Sequence, residues 1–258
     1  MHYKSLQITF NIVVFSKECM LTSSSKPLKD VFYCPEESNF YSHSLETLVL
    51  NKCDSSTVIV EFGSGDGSPV INSLIKTRFN GIIHGFELNA LAYKTAKANI
   101  QEYEFSDKYT IHNASFFESS IPNAEYLISN PPYLPAIDDN IYQPLLHGGT
   151  DGSTIARRLL SLDYENLLLM LSSYSNPESL INYAIAKGYY VANFLVSPLE
   201  FGYYSSEPKV KNRILELKKK GMAFYSENIY LLAGVVFTKQ HKSAVNLSSE
   251  LIQLMTSL

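Results

Sequence analysis

From residue 57 onward, short apolar runs alternate with stretches in which apolar residues recur every three to four positions. That pattern is typical of βαβ units built on a parallel sheet. Residues 57–62 (Thr57-Val58-Ile59-Val60-Glu61-Phe62) read as a buried strand running into a glycine-rich loop, and Ile71, Leu74 and Ile75 behind it fall at helical spacing. A second strand is predicted over 81–87. Asn89 then caps a helix with Leu91, Thr95 and Ala98 on one face. Strands three and four fall at 109–113 and 126–129. A helix over 153–163 precedes an apolar strand at 167–171, and Pro177 opens another helix at its first position, which Gly188 closes. A strand at 189–196, a charged helix at 207–220 and a strand at 229–237 complete the pattern. Seven strands with intervening helices predict an α/β fold, a mostly parallel sheet covered on both faces. Upstream, 6–33 predicts a hairpin. Residues 1–40 are read as an N-terminal arm, 41–240 as one domain, and 241–258 as a tail containing a short amphipathic helix. Between strand four and the 153–163 helix lies a Pro/Asp/Gly-rich loop of roughly 131–152. Structureless loops beyond about 12–15 residues are uncommon in compact domains, so its length suggests function.

Composition narrows the class. The 258 residues are 45% hydrophobic, which excludes a fully disordered chain, and only 18% charged. With 21 basic against 25 acidic side chains the net charge is −4, which argues against a broad basic surface for duplex nucleic acid. DNA is not expected as a partner. Cys19, Cys34 and Cys53 lack CxxC or metal-ligand spacing and read as reduced thiols of a cytoplasmic protein. No run approaches the ~18 apolar residues of a membrane span, so no membrane partner is expected. Six scattered histidines form no Ser/His/Asp or His-x-Glu grouping, leaving hydrolase and metal readings without support. Glycine is informative because it is scarce: of 12, three lie at 63, 65 and 67 and three at 148, 149 and 152. Such clusters mark backbone that bends sharply or approaches a ligand.

The first cluster, Glu61-Phe62-Gly63-Ser64-Gly65-Asp66-Gly67-Ser68, sits where a strand meets a helix, so its backbone N–H groups can face a ligand. A dinucleotide fingerprint needs glycine or alanine at position 68, where Ser68 stands. The acidic residue opening the loop instead resembles the first motif of S-adenosylmethionine-dependent methyltransferases, which implies cofactor contacts by Glu61, Gly63 and Gly65. Glu87, at the end of the second strand, is placed to accept ribose hydroxyls of a nucleoside cofactor. The exit of the third strand, Asn113-Ala114-Ser115-Phe116, would border the adenine in such a fold. Members of that family often carry Gly-Asp-Leu-Phe there, which aligns Ser115 with the aspartate. Asn113 or a backbone group near Phe116 is the alternative, and Phe116 reads equally well as core.

Ser129-Asn130-Pro131-Pro132-Tyr133 ends the fourth strand. Consecutive prolines lack N–H groups and hold the preceding residues extended, so the Asn130 amide oxygen and the Pro131 carbonyl form two fixed acceptors. Such a pair suits a planar NH₂, with Tyr133 offering a flat face. Holding both N–H bonds lets the nitrogen pyramidalise and aim its lone pair at an electrophile. This segment resembles the Asn-Pro-Pro-Tyr signature of methyltransferases acting on planar nitrogen, and Asn130 then borders the cofactor as well as the substrate. His147-Gly148-Gly149-Thr150-Asp151-Gly152 resembles the Gly-Gly-x-Asp-Gly loop of the HemK/PrmC family, which methylates a glutamine of peptide-chain release factors. Pro35, Glu37 and Phe40 resemble a Pro-x-Glu segment of its eukaryotic/archaeal branch, although Glu36 and Glu37 also read as solvated charges. The resemblance implies a seven-stranded class I methyltransferase with an antiparallel final hairpin, bound to S-adenosyl-L-methionine. Substrate contacts would come from Pro132, Tyr133, Gly149 and Asp151, and the partner would be a translation protein. Methylation of adenine or guanine in RNA is the alternative, and a non-catalytic partner protein is a further one. Six lysines and arginines between 207 and 220 form the one basic run, read either as a solvated helix face or as an RNA contact.

Overall fold

The computed structural model describes residues 31–239 and 245–258; the predicted 6–33 hairpin lies almost wholly outside them. The element pattern appears as expected, with one helix added at the front. Helix α1 (Pro35–Leu48) has Pro35 in its first turn and Glu36 and Glu37 near its positive end, where the backbone dipole favours carboxylates. It buries Phe40, Tyr41, Leu45 and Leu48 and crosses the 40/41 boundary drawn for the arm. Its face is hard to recognise in sequence because two serines, Ser42 and Ser44, are buried among the apolar residues. Ser44 lies against Gly234, where an added Cβ would fall 2.4 Å from the serine Oγ, so this glycine admits α1 onto the sheet.

Beyond α1 the chain runs through β1 (Val58–Phe62), α2 (Ser68–Lys76), β2 (Ile82–Phe86), α3 (Ala90–Glu102), β3 (Tyr109–His112) and β4 (Tyr126–Ser129). It continues through α4 (Thr154–Leu160), β5 (Asn166–Ser172), α5 (Pro177–Ala186), β6 (Tyr190–Glu200) and α6 (Pro208–Lys219). A two-residue β7 (Tyr225–Ser226), not foreseen, precedes β8 (Ile229–Thr238), and α7 (Ser248–Met255) closes the chain. Asn89 caps α3 as expected, its side chain accepting from the N–H groups of Leu91 and Ala92.

The sheet order is β3-β2-β1-β4-β5-β8-β6, with β7 on β8. β1 to β5 run parallel; β8 is antiparallel to both β5 and β6, which is the reversed final hairpin expected above. The chain moves outward from β1 to β3, then returns to lay β4 on the other side of β1. A crevice opens at such a switch point beyond the carboxyl ends of the strands, and ligands of open α/β sheets bind there. One core layer lies between the sheet and α1, α2, α3 and α6; the other lies under α4, α5 and α7. No described helix is long and apolar enough to cross a membrane.

Candidate functional site

The carboxyl ends of β1, β2 and β4 meet in register, and each end carries one of the residues singled out above. At the end of β1, Gly63 (φ 71°) and Gly65 (φ 59°) adopt left-handed backbone, and a Cβ added at either would meet nothing within 4 Å. The loop is therefore open on the side where side chains would project. It is pinned from behind: the Gly63 N–H donates to the Phe86 carbonyl at 3.0 Å and the Gly65 N–H to the Glu87 carboxylate at 2.8 Å. Glu87 also accepts from the Asn89 N–H at 2.7 Å. Burial pushes its carboxyl up, against those backbone hydrogen bonds. Two N–H contacts leave lone pairs on a carboxylate, so Glu87 can still accept hydroxyl protons.

Glu61 takes a different position from the one expected. Its carboxylate is 1% exposed and turned into the core. The hydroxyls of Tyr41 (3.1 Å, from α1) and Tyr109 (2.5 Å, from β3) donate to it. Burial raises its pKa to about 7 in spite of these bonds. Glu61 thus anchors the root of the glycine loop to α1 and β3. Asn113 is exposed and its amide donates to the carbonyls of Glu87 (2.8 Å) and Leu88 (3.3 Å), tying the β3 exit to the β2 exit. Ser115 contributes its carbonyl to Ser119 at 2.7 Å. Phe116 is buried edge-on against Phe62 and Phe86, which favours the core reading.

At the end of β4, Ser129 donates to the Phe62 carbonyl at 2.8 Å, clamping β4 to the root of the glycine loop. Asn130 follows. Its Oδ1 is buried without a hydrogen-bond partner, an arrangement that costs about 1–3 kcal/mol when no donor is supplied. Tyr133 is buried; its hydroxyl donates to the Glu37 carboxylate, and its ring lies 5.9 Å from that of Tyr174. Tyr230, on β8, donates to the other Glu37 oxygen at 2.9 Å. Burial drives the Glu37 carboxyl upward against the hydrogen bonds of Tyr133, Tyr230 and the Asn130 amide. Of the two acids at 36 and 37, then, one is an exposed charge and the other sits directly behind Asn-Pro-Pro-Tyr.

The second glycine cluster serves this same segment. The Gly148 N–H donates to the Leu134 carbonyl at 2.9 Å, the Leu134 N–H donates to the Leu146 carbonyl at 3.2 Å, and the Ala136 N–H donates to the Gly149 carbonyl at 3.1 Å. A Cβ on Gly148 would stand 2.6 Å from the Tyr133 Cα. Asp151, expected at the substrate, is occupied internally: it accepts from Ser153 (2.7 Å) and from the Asn176 amide (2.7 Å). Gly149 is likewise closed off, with Thr154 filling the space a Cβ would need. The loop over 131–152 is therefore a buttress that fixes the backbone of Pro132 and Tyr133. Ser175 completes it by donating to the Tyr133 carbonyl at 2.8 Å. The sequence reading missed Tyr41, Tyr109 and Tyr230, and left Glu37 between two roles. The tyrosines lie in strands or a helix at no diagnostic spacing; Glu37 had a signal only through the Pro-x-Glu resemblance.

Among the described residues no group of His, Cys, Asp or Glu is arranged to hold a metal ion. Chemically, the site offers an open left-handed loop, a carboxylate beside it, and a free amide acceptor one strand away.

No protein-family model matches the chain. It is similar to the tRNA1(Val) (adenine(37)-N6)-methyltransferase of Dyadobacter fermentans, 28% identical over 127 residues, or 48% of each protein. The protein of that name from Porphyromonas gingivalis (strain ATCC 33277) is 26% identical over 121 residues, 44% of each. The matches thus span about half the length of these curated relatives. Among solved structures, the METTL16 methyltransferase domain superposes with a TM-score of 0.52 at 13% identity, covering 84% of this chain and 88% of that domain. An RNA methyltransferase candidate from Pyrococcus horikoshii superposes at 0.50 and 15% identity, covering 80% and 83%. With its strand order, its reversed final hairpin and these neighbours, the chain has the Rossmann-like class I methyltransferase fold.

Proposed function

We propose that the chain is an S-adenosylmethionine-dependent N-methyltransferase whose acceptor is the exocyclic NH₂ of adenine in RNA. The observation that carries this reading is the buried, unpartnered Oδ1 of Asn130 at the carboxyl end of β4. An acceptor oxygen left without a donor in a folded protein needs a donor from outside, and the N–H of a planar NH₂ is one that fits. The residues of the β1 and β2 exits fit the cofactor. Gly63 and Gly65 leave the space of two missing side chains open to its amino-acid part, and Glu87 has lone pairs for its ribose hydroxyls. When bound, the cofactor supplies an electrophilic sulfonium methyl group. The chain's own residues do the rest by positioning. Asn130 Oδ1 accepts one N–H of the target and the Pro131 carbonyl accepts the other, so the nitrogen's lone pair is freed from the ring. Glu37 holds Tyr133 by its hydroxyl, which keeps that ring from rotating into the acceptor space. Removal of one such oriented contact typically costs 10²–10³ in rate.

The choice of adenine over the protein glutamine suggested by the HemK/PrmC resemblance rests on the curated relatives, which bear tRNA adenine-N6 methyltransferase names. The features that favoured glutamine have also weakened, because Gly149 and Asp151 are consumed inside the buttress. The test is incubation with methyl-labelled cofactor and separated tRNA, rRNA and ribosomal- and release-factor-protein fractions, followed by hydrolysis. N6-methyladenosine in an RNA fraction is the expected product. Label recovered as methylglutamine would refute the RNA assignment.

A further inference from the structure

A chain of aromatic rings leads from Tyr133, three residues after the acceptor Asn130, to the surface. Tyr133 neighbours Tyr174 at 5.9 Å, and Tyr174 neighbours Phe201 at 5.4 Å. Past Phe201 the chain turns at Gly202 and presents Tyr203 and Tyr204, whose rings meet edge-on at 5.3 Å. Tyr142, from the loop after Asn-Pro-Pro-Tyr, lies 5.4 Å from Tyr203, and its backbone N–H is fixed by Glu207 at 2.7 Å. The Tyr204 hydroxyl accepts from the N–H of Tyr33, two residues before the helix that carries Glu37. Tyr203 is 71% exposed, Tyr142 56% and Tyr33 54%. Burial of a core does not account for large rings gathered in water on one surface, and such a patch marks an interaction site.

Charge lies beside it. Helix α6 starts four residues after Tyr204 and is tied to this rim: Lys209 pairs with Asp138, and Arg213 donates to the Thr150 carbonyl at 2.7 Å. Lys211, Lys219 and Lys220 stand exposed on the same helix. At its far end the Lys218 Nζ lies 3.8 Å over Tyr225, which packs edge-on against Phe201 at 5.1 Å. Acids stand at the rim as well: Glu207 is buried against the Tyr142 N–H, Asp138 is paired, and Asp139 and Glu36 are exposed.

We propose that the rim of Tyr33, Tyr142, Tyr203 and Tyr204 is the docking surface for single-stranded RNA carrying the target base. Flanking bases stack on the exposed rings and the backbone phosphates pass toward the lysines of α6. This rests on the RNA reading of the site and adds the form of the substrate. A duplex keeps its bases stacked on one another and its amino groups paired, so neither the rim nor Asn130 can engage them. Exposed rings beside cations are the means by which single strands are held. The chain is acidic overall, with a net charge of −4, and its one basic run along the sequence lies on α6, which suits a short unpaired segment better than a long duplex.

The test is equilibrium binding of a fluorescent, unstructured oligoribonucleotide of about 12 nucleotides, within the usual site size for single strands. A duplex of the same sequence and a glutamine-containing peptide serve as competitors, and methyl transfer to total tRNA is measured in parallel. Stacking on an aromatic ring is worth about 1–3 kcal/mol per base, so Tyr203→Ala and Tyr142→Ala should each weaken binding on the order of 10-fold. Tyr203→Phe should bind as the wild type does, and melting temperatures should not change because the rings are exposed. Replacing Lys211, Lys219 and Lys220 by alanine should flatten the salt dependence by up to about 0.7 per lost phosphate contact. Unchanged RNA binding by both alanine variants would overturn the rim assignment while leaving methyl transfer, and the RNA reading, intact. Tighter binding of duplex or of peptide than of single strand would overturn it too. Absence of methyl transfer to RNA by the wild type would instead refute the proposed function, and the binding data would still decide what the rim holds.

Discussion

Replacing Gly65 by alanine separates two effects that usually arrive together, backbone strain and loss of ligand space. At φ 59° an L-residue adopts left-handed backbone, yet a Cβ there meets no atom within 4 Å. Strain is then the only folded-state cost, about 1–2 kcal/mol. For a chain of this size that corresponds to a melting-temperature loss of roughly 2–8 °C. Gly188 provides the matched control. It has φ 85°, also with nothing within 4 Å of an added Cβ, but it follows α5 at the opposite end of the sheet from the glycine loop. Gly188→Ala should therefore lose a similar amount of stability. If the open space at Gly65 is a cofactor cradle, its added methyl must compete with ligand atoms. By analogy with overpacking, that costs about 1–3 kcal/mol, or roughly 5- to 150-fold in Kd. Thermal melting and calorimetric titration with S-adenosylmethionine on both variants give the two quantities independently. Equal cofactor affinity in Gly65→Ala and the wild type would refute the cradle. An equal affinity loss in Gly188→Ala would show that strain alone weakens the site.

Asn130→Ala should bind cofactor normally and lose at least ~10²-fold in turnover, since it removes a positioned acceptor without touching the glycine loop; single-turnover rates with labelled cofactor check this. Glu37→Ala leaves the Tyr133 and Tyr230 hydroxyls without their acceptor, at about 1–3 kcal/mol each. It should melt earlier and slow turnover, whereas Glu37→Gln, which keeps a carbonyl acceptor, should recover most of the stability. Glu61 sets a pH dependence. Its carboxyl is raised from 4.5 to about 7 in the fold, so between those values the unfolded chain ionises while the folded one holds its proton. Stability contributed by the protonated form is full below about 4.5 and is lost as pH rises toward about 7, by on the order of 3 kcal/mol. Glu61→Gln should flatten that fall, which urea unfolding at pH 5 and pH 8 would reveal; parallel wild-type and variant profiles would refute it.

The alternation of apolar runs with 3.6-residue periodicity was enough to locate every principal strand, because a buried parallel strand and an amphipathic helix leave different periods in the chain. Local chemistry was equally legible: Asn89 as a cap, Pro177 as a helix start, Gly63 and Gly65 as a bent loop, and Asn-Pro-Pro-Tyr as a stiff strand exit. Each of these depends on residues within a few positions of one another. Helix α1 escaped because buried Ser42 and Ser44 interrupt its apolar face, and a serine is accepted there only because Gly234 and Ser73 lie opposite.

What the sequence by itself determined is the α/β fold, the glycine loop, and Asn130 as the candidate acceptor. What only the tertiary structure decided is which side chains stand behind them. Glu37 reaches Tyr133 across 96 positions and Tyr230 across 193, and Glu61 reaches Tyr109 across 48. Asp151 and Gly149, equally prominent in the sequence, are turned inward by Asn176 and Thr154. A carboxylate's role depends on what surrounds it, and burial or a distant hydroxyl is set by how strands and helices stack. That stacking leaves no trace in the spacing of residues along the chain.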